Sequence, residues 1–202
     1  MKRTSGIKER IIAVTVGLIA KSDGDVASVR IQDIADGAEV GVGLINYHFQ
    51  TKENLIELCV ERMIASVISG FEPTRTGADH ASTGTKASIA EKLEVSVKAV
   101  FDFLVKNPSV SRISILTDMR CPKKDDNTVM SANAMSKLLG NIGLAENERL
   151  VLAFAMTSVM QALFLRKEQG AELFGFDLNE KPQRDKVLDL IVDTFFGGLR
   201  NG

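Results

Sequence analysis

Residues Ile31 to Leu55 read IQDIADGAEVGVGLINYHFQTKENL, and the pattern of this stretch decides how the rest of the chain is read. Ile31, Ile34 and Ala35 stand at i, i+3 and i+4, an apolar stripe sufficient for two helical turns. A tight break follows at Gly37-Ala38-Glu39-Val40-Gly41. A second short helix then carries Leu44, Ile45, Tyr47, His48 and Phe49. Two short helices joined by such a turn form a helix-turn-helix, whose second helix lies in the major groove of DNA.

Outward toward the N-terminus, Ile7, Ile11, Val14 and Leu18 fall on one face of a helix over residues Ile7 to Lys21. Met1 to Gly6 reads as a polar, basic arm, either a frayed end or one whose Lys2 and Arg3 touch phosphates or the minor groove. Asp23-Gly24-Asp25 stops the first helix, with Gly24 supplying a left-handed turn, and Ser28 is placed to cap the second. Outward toward the C-terminus, Thr51 is the expected N-cap of a helix from Lys52 to Gly70, with Glu53 in its first turn. Its apolar residues cover more than one face, as suits a strut between two bodies. Glu72 to Lys86 has no apolar period and reads as a loop, in which His80 is a solvated histidine. Helices follow at Ala87–Lys106, Ser109–Met119, Val129–Leu139, Asn147–Gly170 and Gln183–Leu199, making about nine in all and an all-α fold.

The run Val40-x-x-Gly43-x-Ile45-x-Tyr47-His48-Phe49-x-x-Lys52-Glu53-x-Leu55 closely resembles the recognition helix and exit of the TetR family of transcriptional regulators. The resemblance is specific over Ile7 to Leu58 and persists beyond as length and helical pattern. It implies a three-helix DNA-binding domain over residues 1–52 and a helical ligand-binding and dimerisation domain over 53–202. It also implies a homodimeric repressor, released from a palindromic double-stranded operator by a small-molecule effector. By the same resemblance Val42, Gly43, Leu44, Asn46, Tyr47 and His48 face the groove. Leu44 or Val42 would meet a thymine methyl, and Asn46 a base edge, most naturally adenine. Tyr47, His48, Lys52 and Arg30 are the expected phosphate contacts, while Ile45 and Phe49 turn inward to the core.

The chain departs from the family at three points. Relatives commonly have Gly where Glu39 stands, Ser or Thr where Gly41 stands, and often Lys where Val42 stands. The lost hydroxyl and cation predict fewer phosphate contacts and weaker binding, with a flatter salt dependence, since each contact accounts for roughly 0.9 of the logarithmic slope.

Composition narrows the rest. The net charge is −1 over 202 residues, and residues 1–52 hold seven cations against six anions. DNA binding must come from placed cations and backbone donors, not bulk charge. The two cysteines, Cys59 and Cys121, stand in no metal-like spacing and read as free thiols of a reducing cytoplasm. Ile11 to Ala20 is followed by Lys21 and not by a cleavage site, and the apolar run Leu150 to Leu165 is short for a membrane span. A soluble, cytoplasmic protein is expected, with no membrane partner.

The C-terminal half has no Ser-His-Asp set, no phosphate-binding loop and no metal-ligand cluster, so neither catalysis, a cofactor nor a metal is expected. It offers adaptable apolar residues for a core or a bulky-ligand pocket, with Phe101, Met119, Met135 and Met160 as candidate lining and Arg112, Arg120 and Gln161 as polar anchors. On the last helix Val187, Leu190, Ile191, Thr194 and Gly198 share a face left over from a second apolar face, and the resemblance makes it a dimer interface. Two other readings stay open: an activator or co-regulator answering to a protein partner, and an all-α enzyme carrying the same DNA-binding motif.

Overall fold

The chain is described here from a computed structural model covering residues 2–22, 24–71, 86–140 and 143–197, with the side chains of 2–5, 66–71 and 86–88 outside that description. The described residues form ten α-helices, two single-turn 3-10 segments and no strand. The helices are α1 (Lys2–Lys21), α2 (Ile31–Gly37), α3 (Val42–Phe49), α4 (Lys52–Phe71), α5 (Lys86–Lys106), α6 (Pro108–Arg120), α7 (Asn127–Leu139), α8 (Glu146–Leu165), α9 (Gly170–Phe174) and α10 (Lys181–Phe196). The all-α expectation holds. His80 and the loop expected around it, the side chains of Lys2 and Arg3, and Gly198 and Leu199 lie outside the described residues.

By internal contacts the chain divides into two compact units: residues 1–73 with 107–120, and 74–106 with 121–202. In the first, α1, α4 and α6 pack together, and α2 and α3 close over them. Ile11, Ile19, Ile34, Ile45, Leu55 and Cys59 are fully buried in its core, joined by Val110 and Ile113 of α6. The segment α6, remote in sequence, is thus part of the unit that carries the helix-turn-helix. At Gly37 an added Cβ would lie 2.7 Å from Val14 Cγ1, so the glycine lets α2 approach α1 closely. The Cys59 thiol sits 3.8 Å from the Ile12 carbonyl, and burial pushes it up to about 12, with Arg62 opposing weakly.

In the second unit α7 lies along α8, while α5 packs on α7 and α10. Met156, Met160 and Phe164 of α8 are buried together with Phe101 of α5 and Leu139 of α7. Gln161 is buried as well, its amide donating to Thr128 Oγ1 at 2.9 Å across the α7–α8 seam. A single arginine, Arg184, ties the start of α10 to its surroundings. It donates to the carbonyls of Leu178 (3.1 Å) and Asn179 (3.0 Å) and to Asp102 Oδ1 of α5 at 2.5 Å.

Four details differ from the sequence reading. The first helix begins at Lys2 and not Ile7, because Lys2 to Arg10 contains no proline and one Gly6 is a weak breaker. Ser28 does not cap α2; it lies in a 3-10 turn (Val26–Ser28) capped by Asp25, whose carboxylate accepts from Ala27 N at 2.9 Å, and Arg30 is the α2 N-cap. The long helix stops at Leu165, where Arg166 to Glu180 folds into a corner containing α9, the one helix beyond the nine expected. An added Cβ at Gly170 would lie 2.8 Å from both Leu178 Cγ and the Phe176 carbonyl, so that corner closes around the glycine. Finally, α8 spans 20 residues and is long and apolar enough by composition to cross a membrane. It buries Ala153, Met156, Met160 and Phe164 and leaves Val151 and Phe154 exposed.

Candidate nucleic-acid interface

The candidate reading helix α3 is anchored by Ile45, fully buried, and Phe49, which is 6 % exposed. Burying two such side chains stabilises the docking by about 1.5–3 kcal/mol each, enough to fix the helix on α1, α2 and α4. Gly43, Asn46 and Tyr47 are exposed at i, i+3 and i+4, a single outward face, with Tyr47 at 79 %, and Gln50, just past the helix end, is exposed as well. Of the expected groove residues, Val42, Leu44 and His48 are half-buried shoulders of that face. The His48 Nε2 is buried and carries no partner among the described residues, so a contact to DNA through this ring falls on its other nitrogen.

The turn into α3 has a definite geometry. Val40 N donates to the Ala35 carbonyl at 3.0 Å and Glu39 N to the Asp36 carbonyl at 3.2 Å, the pair of bonds that closes a Schellman motif. Glu39 occupies its left-handed position, at φ +52. Glycine is the ordinary residue there because it has no Cβ to clash. Glu39→Gly should therefore stabilise the chain by about 1 kcal/mol, and removing an exposed anion beside the reading face should tighten DNA binding at low salt. Chemical denaturation and a binding isotherm on one duplex check the two effects separately. At Gly41, the α3 N-cap, the backbone is extended (φ −76, ψ 147) and no side chain caps the helix. An added Cβ at Gly41 would meet nothing within 4 Å, so the serine or threonine common in relatives would fit.

The cations nearest this face already have partners. Arg30 Nε and Nη2 donate to both Asp33 carboxylate oxygens at 2.9 Å, and this pairing holds the Asp33 carboxyl below the usual carboxylate range. Lys52 Nζ donates to the Val26 carbonyl at 3.4 Å. Lys8 Nζ lies 5.6 Å from the centre of the Phe49 ring. Each would have to exchange that partner for a phosphate.

The helix is followed at once by a locked turn. Thr51 Oγ1 accepts from Asn54 N at 3.1 Å, which makes Thr51 the cap expected from the sequence. Asn54 Nδ2 donates to the Phe49 carbonyl at 3.3 Å, fixing α4 to the end of α3.

The remaining candidates are placed as follows. Phe101, Met135, Met160 and Gln161 are buried in the second unit, whereas Arg112, Met119 and Arg120 lie exposed on α6 in the first. The Arg112 side chain runs over Gly24, which turns at φ +82; an added Cβ at Gly24 would lie 2.7 Å from Arg112 Cδ. On α10, Leu190 is 65 % exposed, Thr194 is exposed, and Val187 and Ile191 are half-buried. Val151 and Phe154 of α8 are exposed too. Among the described residues no group of His, Cys, Asp and Glu could hold a metal ion. Cys59 is buried and Cys121 exposed, and both are free. With the Cys59 thiol at about 12, one equivalent of thiol reagent should enter the native chain at pH 8, at Cys121, and a second only after denaturation, as a mass spectrum of the alkylated protein would show.

Residues 11–59 match the family model described as bacterial regulatory proteins, tetR family. Curated relatives named nucleoid occlusion factor SlmA, from Actinobacillus pleuropneumoniae serotype 5b (strain L20) and serotype 3 (strain JL03), are each 29 % identical over 110 residues, which is 53 % of this chain and 50 % of theirs. The chain thus spans about half the length of the curated relatives it matches. Among solved structures, a TetR-like transcriptional regulator from Rhodococcus sp. RHA1 superposes with TM-score 0.56 at 14 % identity, covering 95 % of this chain and 96 % of that one. A second Rhodococcus sp. Rha1 transcriptional regulator superposes with TM-score 0.59 at 17 % identity over the same shares. At these identities the likeness is one of fold.

Proposed function

We propose that this chain, which belongs to the TetR family of DNA-binding transcriptional regulators, acts as a homodimeric cytoplasmic repressor that leaves a palindromic operator when a small molecule binds. The observation that carries the DNA-binding part is the outward face Gly43, Asn46 and Tyr47 on a helix pinned by Ile45 and Phe49. One such helix touches too few bases to specify a site, and a two-fold dimer on an inverted repeat doubles the number. The exposed apolar residues Val151, Phe154 and Leu190 on α8 and α10 support a second copy as the occupant of that surface. Residues 1–52 supply the reading head and 53–202 the dimer and effector functions.

Release requires an effector that binds the non-DNA-binding conformation better, by at least the free energy it must shift. The chain gives such a change a covalent route. It leaves the second unit at Lys106, runs through α6 in the first, and returns at Cys121. The buried group Phe101, Met135, Met160 and Gln161 is the proposed effector region, with thioethers able to repack around an apolar guest. No chemistry is assigned to the protein beyond binding.

Sedimentation of the purified protein with its selected duplex tests the dimer; two chains per inverted repeat are expected, and one chain per duplex contradicts it. A small-molecule screen on the fluorescent complex tests release. The alternative reading is an activator or co-regulator that answers to a protein partner. Failure of every ligand to release DNA, alongside specific binding, moves that reading forward.

A further inference from the structure

Among the described residues, two that are not glycine adopt positive φ, and they bracket α3: Glu39 before it and Gln50 after it. Gln50 is the more unusual. Its backbone sits at φ 69, ψ −56, and Thr51 N donates to the Phe49 carbonyl at 2.8 Å. Together these define a three-residue γ-turn of the positive-φ form, which is rare and strained for a residue with a Cβ. The groups that hold this turn are Thr51 and Asn54, through their bonds to Asn54 N and the Phe49 carbonyl. The Gln50 side chain takes no part. It is exposed and makes no hydrogen bond to any described residue.

Nothing among the described residues therefore calls for a glutamine at a position where glycine is the unstrained choice. What Gln50 does have is an exposed place directly after the last residue of α3, the helix whose outward residues are Gly43, Asn46 and Tyr47. We propose that Gln50 is a further DNA-reading residue, its exposed amide at the end of α3 reading a base edge in each half-site beside the one that Asn46 meets. A primary amide presents a donor and an acceptor side by side, which matches adenine N6 and N7. Glu39, the other positive-φ residue, is an anion and gains nothing from a phosphate-lined groove. The γ-turn fixes the base of the Gln50 side chain, so less freedom is lost when the amide engages.

The inference rests on the DNA-binding reading above, and its test separates the two. Duplexes are selected from a random pool by the wild-type chain, by Gln50→Gly and by Gln50→Ala, and thermal unfolding is followed for all three. The wild type should select an inverted repeat with an adenine preference at one position per half-site that both variants lose. Affinity of each variant for the wild-type repeat should fall roughly tenfold or more. Gln50→Gly should at the same time unfold at a higher temperature, while Gln50→Ala, which keeps the Cβ, should not. An unchanged motif and affinity in both variants overturns the role of Gln50 and leaves DNA reading intact. Selection of no duplex by the folded wild type overturns both. A motif change in Gln50→Ala that Gln50→Gly does not share also overturns it, since both variants lack the amide.

Discussion

Arg184→Ala should lower the unfolding free energy by about 3 kcal/mol and the melting temperature by roughly 6–12 °C. Arg184 is 4 % exposed, and its guanidinium satisfies two carbonyls, those of Leu178 and Asn179, besides pairing with Asp102. Truncation leaves both carbonyls without this donor and leaves Asp102 its longer pairing with Lys181 Nζ at 3.6 Å. Leaving buried acceptors unpaired costs more than the bonds contributed, because desolvation is no longer offset. The figure is set at the low end for a broken buried pair because Asp102 keeps 20 % of its side chain exposed. Arg184 also stands in the first turn of α10, where the helix dipole disfavours a cation, so its retention there reflects these contacts. Arg184→Lys should recover little, since one ammonium cannot span the carbonyls and the carboxylate as a planar fork does.

The same pair sets a pH dependence. Burial alone would raise the Asp102 carboxyl, but the hydrogen bond from Arg184 and the charges of Lys181, Arg184 and Lys106 outweigh it and hold it below its ordinary value. A carboxyl depressed by folding contributes stability that is present above its unfolded pKa and lost as pH falls through the folded one. The gap between wild type and Arg184→Ala should thus be widest near neutrality and shrink below about pH 4. Urea titrations at pH 7 and pH 3.5 read it directly, and an equal gap at both would remove the ion pair from the account.

The second large effect concerns Asn46. Its side chain is exposed in the middle of the outward face, with no described hydrogen-bond partner to lose. Alanine is the better helix former, so Asn46→Ala should fold at least as stably as wild type. A bidentate amide–adenine contact is worth about 1–3 kcal/mol, and a dimer makes it twice. Specific affinity should fall roughly 30-fold or more, with non-specific affinity unchanged because phosphate contacts carry that term. Competition of the selected duplex against bulk DNA measures the ratio, and an unaltered ratio would take Asn46 out of base reading.

Much of this was legible from short-range pattern. The family resemblance turns Ile45 and Phe49 inward, opposite the groove residues, and the residue type of Thr51 before Lys52 and Glu53 marks it as a cap; the structure buries the first two and bonds the third. Local rules sufficed because each of those roles is decided within one turn of chain. Glu39 was visible as a departure from its relatives, but the reason needed the backbone: a left-handed φ at the end of α2. Arg184 was invisible. In Lys181-Pro182-Gln183-Arg184 it reads as a solvated charge, and its burial depends on Asp102, 82 residues earlier. The candidate effector residues show the same limit, since helical period places an apolar residue on a face without saying what that face meets. Hence the sequence pattern groups Met119 with Met135 and Met160, although it stands 53 % exposed on α6 in the other unit.

The central claim is that α3 reads DNA sequence as one half of a symmetric pair. Selection of bound duplexes from a random pool by the purified protein, at two salt concentrations, tests it most directly. An enriched inverted repeat is predicted, with a shallow loss of affinity as salt rises, because Arg30 and Lys52 are already engaged by Asp33 and the Val26 carbonyl. A folded protein that enriches no sequence even at low salt would contradict it.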